Sequence, residues 1–412
     1  MAVFGPAELE KASRVTARTG TDADSVDGVV PAVVAAPGST EAVAEVMRVA
    51  AAEGWAVMAK GRGTKLDWGN RPERLDLLLD LAGMDRVIEH ARDDLVARAE
   101  AGTTLAELSA TLAPSGQCFP ADEVVPGSTI GGVVATGLSG PSRYLHGPVR
   151  DLVLGATAVR ADGVVVHAGS KVVKNVAGYD LSKLFTGSYG TLVVLTELTV
   201  KLRPVPAAQR FVSASYAGPD ELAPALSAVL ATQAAPTAVE LERAGPEAPV
   251  QLTVLVEGRS GPAEVRAAEI ARALDGATTA PSPPPWWSRL PGPVTFKLTS
   301  VLSGVPKLVA AASSLAGESG LPAQIGGSAG AGVLYLGVPD QAAHEQLGPL
   351  LAGLREAARA CGGHATVLRA PPRLKASLDV WGPVPGLELM RRLKAEFDPG
   401  RRLAPGRFVG GI

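Results

Sequence analysis

The sequence predicts an α+β chain of two domains, and three observations predict it. Between residues 30 and 205 short Val/Leu/Ile runs alternate with glycine turns and two or three helical patterns. Prolines and small polar residues break this pattern at "RPVPAAQ", around residue 205, where the domain boundary is placed. Beyond it, strand and helix patterns alternate again to the end. The domains are therefore expected at 1–205 and 206–412. With 46% hydrophobic residues in 412, there is apolar material for more than one core.

In the first domain "VVPAVVAAPG" reads as buried strand and turn. "STEAVAEVMRVAAAEG" reads as a helix: Ser39 or Thr40 caps it, Glu41 favours its positive end, and Val43, Val46, Met47 and Ala50 share a face before Gly54. "WAVMAKGRG" is a strand running into a glycine turn. "LVLGATAVRADGVVVHAG" is a hairpin on Asp162-Gly163, and "TLVVLTELTVKLRP" a long strand. In "NVAGYDLSKLF", Asp180 or Ser182 caps a short helix and Tyr179 is expected to be buried. In the second domain "QLTVLVEG", "PAEVRAAEIARALDG", "GVLYLGVP" and "HEQLGPLLAGLREAARACGG" give strand, helix, strand, helix. The proline-rich "APSPPPWWSRLPGP" between them is a loop over a cleft or on the surface.

Composition excludes several functions. The 39 basic and 41 acidic residues form no block of like charge, so a phosphate-neutralising surface for nucleic acid is missing. Two cysteines, Cys118 and Cys361, cannot supply an iron-sulfur cluster or a disulfide framework, which fits a reducing cytoplasmic setting. No apolar run approaches the roughly 18 residues of a membrane span, and the first residues lack a signal-peptide pattern. His90, His167, His344 and His364 show no ligand spacing, so no metal site is expected.

The chemistry points to two glycine-rich segments, "AKGRGTKLDWG" at 59–69 and "PGSTIGGVVATGLSG" at 126–140. Where Gly61 and Gly63 lack a β-carbon, successive backbone N–H groups can face one anion, with the Thr64 hydroxyl beside them. Two such turns could hold a pyrophosphate from both sides. Each could equally be an ordinary tight turn, and neither matches a Rossmann or Walker pattern.

Together with "KVVKNVAGYDLSKLFTGSYGTLVVLTELTVKLRP", the second segment resembles the FAD-binding domain of the vanillyl-alcohol oxidase/PCMH flavoprotein superfamily. Within it, "KNVAGYDLSKLFTGSYGTL" resembles the smaller, GlcE-like flavoprotein subunit of bacterial glycolate oxidases, and "LMRRLKAEFDPGRRLAPGR" that family's closing segment. The resemblance implies a PCMH-type domain of two α/β subdomains followed by a smaller α+β C-terminal domain of the FAD-linked oxidase type. It implies that Lys60, Gly61, Arg62, Gly63, Thr64, Lys65 and Leu66 cradle the FAD pyrophosphate with Pro126, Gly127, Ser128, Thr129, Gly131 and Gly132. Thr136, Gly137 and Gly140 would then admit the flavin ring, and the main chain of Val194 would touch it; relatives usually carry glycine where this chain has Val193. Many relatives bind flavin covalently through a first-loop histidine or a cysteine beside the second loop. Neither is present here, so noncovalent FAD is expected.

Tyr144, His146 and Arg150 follow the second loop, and Lys171, Lys174 and Asn175 lie in "SKVVKNVAGYD", so a cation for the reduced flavin is available nearby. For a carboxylate substrate, Arg150 and Lys174 are the candidate anchors. The family resemblance implies oxidation of glycolate to glyoxylate beside a larger flavoprotein subunit and an iron-sulfur subunit, the complex being cytoplasmic or peripheral to the inner membrane through its partners. Two alternatives stand beside this: a self-sufficient FAD oxidoreductase for another alcohol or hydroxy acid, and a non-catalytic structural subunit.

Overall fold

The computed structural model describes residues 5–170 and 179–412. The chain forms two compact units, but not by one cut: Met1–Leu138, Pro148–Val205 and Pro383–Ile412 make the first, and Ser139–Gly147 with Pro206–Gly382 the second. The crossing near residue 205 falls where the prolines interrupt the pattern. A division at that point alone would put Pro383–Ile412 with the second unit, whereas this tail is hydrogen-bonded into the first. Val57 N–H donates to Arg402 O, and Ala404 N–H to Val57 O.

The first unit has β1 (Ala17–Thr19), β2 (Val33–Ala35), β3 (Val57–Lys60) and β4 (Leu77–Asp80) in one sheet, ordered β1-β2-β4-β3. β2 and β3 both run parallel to β4. The helix Thr40–Glu53 makes the crossover between them. It starts where Ser39 Oγ accepts from Ala42 N–H and ends on Gly54 in the left-handed conformation. Its inward residues Val43, Val46, Met47 and Ala50 join Leu77, Leu79 and Val57 in one core.

There follow β5 (Val87–Ala91), β6 (Val96–Glu100), β7 (Gln117–Cys118), β8 (Val153–Val159), β9 (Val165–Gly169), β10 (Val194–Lys201) and β11 (Arg203–Pro204). Five of them form an antiparallel sheet ordered β5-β6-β10-β8-β9, and β7 pairs with β11. The expected hairpin is β8–β9, turning at Gly163 with φ +80°. Helices Leu105–Leu112 and Ile130–Thr136 bury Leu108, Leu112, Ile130 and Val133 against this sheet.

The second unit is one eight-stranded sheet of β12 (Ala208–Tyr216), β13 (Ala238–Arg243), β14 (Val250–Gly258), β15 (Thr278–Ala280), β16 (Val294–Thr299), β17 (Gln324–Ser328), β18 (Val333–Val338) and β19 (Ala365–Arg369). Its order is β15-β12-β14-β13-β17-β18-β16-β19. Helices Leu222–Ala231, Ser260–Ala273, Val305–Glu318 and His344–Ala360 pack their apolar stripes on it in a single core. The proline-rich loop is pinned to the sheet rather than wandering: Trp287 stands edge-on to Phe211 with ring centres 5.2 Å apart, beside Ala238 and Leu255.

One local expectation fails. Asp180 caps the helix Leu181–Phe185 as anticipated, but Tyr179 is 97% exposed. So short a helix turns only one stripe inward, and Ser182 and Phe185 occupy it.

Candidate functional site

β3 delivers the first glycine loop. Lys60 ends the strand with its ammonium 3.0 Å from Asp80 at the end of β4. The chain then turns through Gly63 at φ +75°, a conformation that suits glycine. The turn closes with Leu66 N–H donating to Gly63 O and Trp68 N–H to Lys65 O. Among the described residues, the amides of residues 61–65 have no acceptor in the chain. They form a run of unsatisfied donors, as an anion cradle requires.

The second loop is built differently. Gly127 N–H donates to Glu123 Oε1, Ile130 N–H to Thr103 O, Gly131 N–H to Ala101 O and Gly132 N–H to the Thr129 hydroxyl. Most of its donors are thus used internally, so its glycines serve close packing. A β-carbon on Gly131 would sit 2.7 Å from Ala101 O. Of the two loops expected to cradle the pyrophosphate together, the first carries the free amides and the second a bare supporting surface.

The two loops touch. A β-carbon on Gly61 would lie 2.5 Å from Thr129 Oγ1 and 2.8 Å from its Cγ2. Lys65 ties them together, its Nζ 2.7 Å from Ser128 Oγ and 3.0 Å from Thr64 Oγ1. This side chain is 8% exposed, and its close partners are hydroxyls. Burial pushes its pKa down to about 8, against the weaker upward pull of Glu123 and Asp67. An anion placed beside it would recover that cost.

Around these loops opens a cleft of about 860 Å³, measured with its mouth, walled by Met58–Leu66, Leu81, Ala101, Thr129, Gly131, Gly132, Ala135, Thr136, Ser188–Gly190, Val193, Leu195 and Arg407. The stretch Ser188–Gly190 is held by Tyr189 N–H donating to Ala135 O, with Tyr189 at φ +56° and Gly190 at φ +72°. Behind it the buried Lys394 donates to Thr191 O, Leu403 O and Asp398 Oδ2. Arg407, 3% exposed, donates to Asp27 Oδ2, Asn70 O and Leu66 O, so the C-terminal tail clamps the end of the first loop.

Of the expected cofactor residues, Lys60–Leu66, Thr129, Gly131, Gly132 and Thr136 line this cleft. Ser128 lies fully buried beneath it, while Pro126 and Gly127 are exposed at the loop tip. Gly137, at φ +66°, ends the helix Ile130–Thr136 against Gly187. Gly140 falls in the second unit. The side chain of Val194 turns into the core with Val159 and Leu79, while its neighbours Val193 and Leu195 line the cleft, because alternate strand residues point to opposite sides.

Three of the four candidate catalytic residues lie among the described residues. Tyr144 and His146 belong to the second unit, in the short helix Arg143–His146. Arg150 is exposed on the first unit, its Nε donating to Lys183 O, and is not among the cleft's lining residues. Lys174, with Lys171 and Asn175, lies outside the described residues. Ser188, Tyr189, Gly190 and Arg407 went unread; the "GSYG" glycine pair was the available signal for the first three.

Comparison with known proteins agrees with this geometry. Residues 31–169 match a family model described as an FAD binding domain. Glycolate oxidase subunit GlcD of Bacillus subtilis (strain 168) is 26% identical over 424 aligned positions, 92% of this chain and 89% of that one. Glycolate oxidase subunit GlcE of Escherichia coli (strain K12) is 43% identical, but over 132 residues, 32% of this chain and 38% of that protein. The similarity is thus to both flavoprotein subunits, and along the full length to GlcD. The solved structure of 4-ethylphenol oxidase from Gulosibacter chungangensis shares the fold, with a TM-score of 0.68 at 17% identity over 94% of this chain and 90% of that one.

Proposed function

Starting from a chain that is an FAD-dependent oxidoreductase with a PCMH-type FAD-binding domain, of the FAD-linked oxidase superfamily, we propose that it is an FAD-binding subunit of a glycolate oxidase complex. Its similarity to glycolate oxidase subunits supports oxidation of a 2-hydroxy acid. The specific reaction we assign is glycolate to glyoxylate, with a second flavoprotein subunit and an iron-sulfur subunit as partners, in the cytoplasm. Among the described residues no helix is long and apolar enough to cross a membrane.

The observation that carries the cofactor assignment is the contact between Gly61 and Thr129, which seats free first-loop amides and the Lys65 ammonium on one cleft. These groups bind the pyrophosphate: the amides supply dipoles, and Lys65 a full charge in a partly dehydrated setting. Arg407 fixes the loop from behind, and the Ser188–Gly190 wall with Val193 and Leu195 shields the ring portion from water. When bound, FAD supplies the two-electron acceptor for the hydroxy acid's α C–H bond. The described lining includes no histidine or cysteine, which supports noncovalent FAD.

The test is to purify the chain alone and with its partners, record flavin absorbance, and add glycolate or lactate without oxygen. Bleaching in the complex supports the assignment; no reduction by either acid in either preparation removes it. Similarity to a D-lactate dehydrogenase of Archaeoglobus fulgidus, 35% identical over 42% of this chain and 39% of that protein, favours a second reading, in which the chain acts by itself. Bleaching of the isolated chain would establish that one.

A further inference from the structure

A second cavity lies in the first unit, built by the C-terminal tail. The helix Leu387–Phe397 carries Arg391 and Ala395 on one face, and Asp398, at its end, continues that face two turns on from Arg391. The chain then turns through Pro399 and Arg401, and its last residues return against the start of the helix. Gly410 makes that return close, since a β-carbon there would sit 2.5 Å from Leu387 Cδ1. Between helix and turns opens a cavity of about 750 Å³, measured with its mouth, with Arg391, Ala395, Asp398, Pro399, Arg401 and Ile412 in its walls. It shares no lining residue with the flavin cleft.

Its polar groups ask for two different things. Asp398 is fully buried, and its Oδ2 accepts from Lys394 Nζ at 2.6 Å and from Leu403 N–H at 2.7 Å. Its Oδ1 has no hydrogen-bond partner among the described residues. Lys394 cannot serve it, because the three ammonium protons go to Asp398 Oδ2, Thr191 O and Leu403 O. A buried carboxylate oxygen left in this way is costly, and a donor brought in by a ligand removes the cost. The two arginines ask for acceptors. Arg391 faces Glu388 at 4.0 Å, and Arg401 faces Glu73 at 3.5 Å while donating to Gly411 O. All four of these charged side chains are more than half exposed, so the pairs are weak, and each guanidinium fork keeps donors to spare.

We propose that this cavity binds a small α-amino acid, its ammonium on Asp398 Oδ1 and its carboxylate on Arg391 and Arg401. A simple carboxylate would leave Asp398 Oδ1 unanswered and meet its charge, and a simple amine would meet the arginines; a zwitterion satisfies both ends. Ala395, Pro399 and Ile412 give an apolar wall for a short aliphatic side chain. The site does not depend on which acid the flavin oxidises.

The probe is L-alanine, titrated by calorimetry into the FAD-loaded protein, with propionate and ethylamine titrated in parallel as its two halves. L-alanine should bind about tenfold or more tighter than either half. Arg391→Met and Arg401→Met should each weaken it by about tenfold. Ala395→Phe, a substitution at an exposed position that fills the cavity from the helix, should abolish binding while flavin absorbance and melting temperature stay at the parent's values. Absence of L-alanine binding in the parent, or equal affinity in the parent and all three variants, overturns the proposal. So does propionate binding as tightly as L-alanine, because the Asp398 contact would then contribute nothing.

Discussion

Lys65→Met isolates the electrostatic part of FAD binding. The lysine value falls from 10.5 to about 8 on burial. Each unit of that gap is about 1.4 kcal/mol between charged and neutral forms, so the flavin-free protein carries the ammonium at a cost of about 3 kcal/mol. A pyrophosphate oxygen beside Nζ offsets it with a charge-assisted hydrogen bond of roughly 2–3 kcal/mol, or about 30- to 150-fold in Kd. The same residue sets a pH dependence. Without FAD, Lys65 loses its proton as pH climbs past about 8; with FAD it keeps it. The Kd should be flat below pH 8 and rise about tenfold per unit above it. The lowered value also means that the penalty on the flavin-free fold is complete below pH 8 and fades toward 10.5, so that form gains stability across this window. Flavin fluorescence quenching against pH measures Kd, and thermal melts of flavin-free protein report stability. K65M should bind about 50-fold more weakly at pH 7, show no slope, and melt higher than the parent when flavin-free. Parental affinity and slope in K65M would refute the reasoning.

Gly61→Ala places a methyl 2.5 Å from Thr129 Oγ1, an oxygen already fixed by Gly132 N–H. It should cost about 1–3 kcal/mol in denaturant unfolding and lower flavin occupancy as purified. Gly132→Val drives its side chain toward Thr129 Oγ1 at 3.2 Å and Lys65 Cε at 3.6 Å, and should abolish FAD retention measured at 450 nm. Arg407→Met removes the guanidinium facing the buried Asp27 carboxylate, and should cost about 3–5 kcal/mol in urea titration while loosening FAD. Acid precipitation of the flavin-loaded protein should leave FAD in the supernatant; flavin in the pellet would contradict noncovalent binding.

What the sequence disclosed and what it withheld follow from the range of the forces involved. The helix Thr40–Glu53 was legible because its cap, stripe and terminal glycine lie within one segment. The β8–β9 hairpin was legible for the same reason. The glycine loops could be picked out, but not their division of labour. That depends on Thr103 O and Ala101 O consuming the second loop's amides, a tertiary fact without a local signature. That the side chains of Val193 and Leu195, and not that of Val194, line the cleft is a matter of strand phase, where one residue reverses the face. Arg407 and Lys394 were unreadable as cleft supports because they return from the far end of the chain. Tyr144 and Arg150, close in sequence, belong to different units because the chain passes from one to the other between Gly147 and Pro148.

The central claim is that first-loop amides and Lys65 receive the FAD pyrophosphate against the second loop. A crystal structure of the flavin-loaded protein tests it most directly. The account predicts phosphate oxygens within about 3.2 Å of amide nitrogens from residues 61–65 and of Lys65 Nζ. A pyrophosphate bound elsewhere, or Lys65 still satisfied by Ser128 and Thr64 alone with the diphosphate beyond reach, would contradict it.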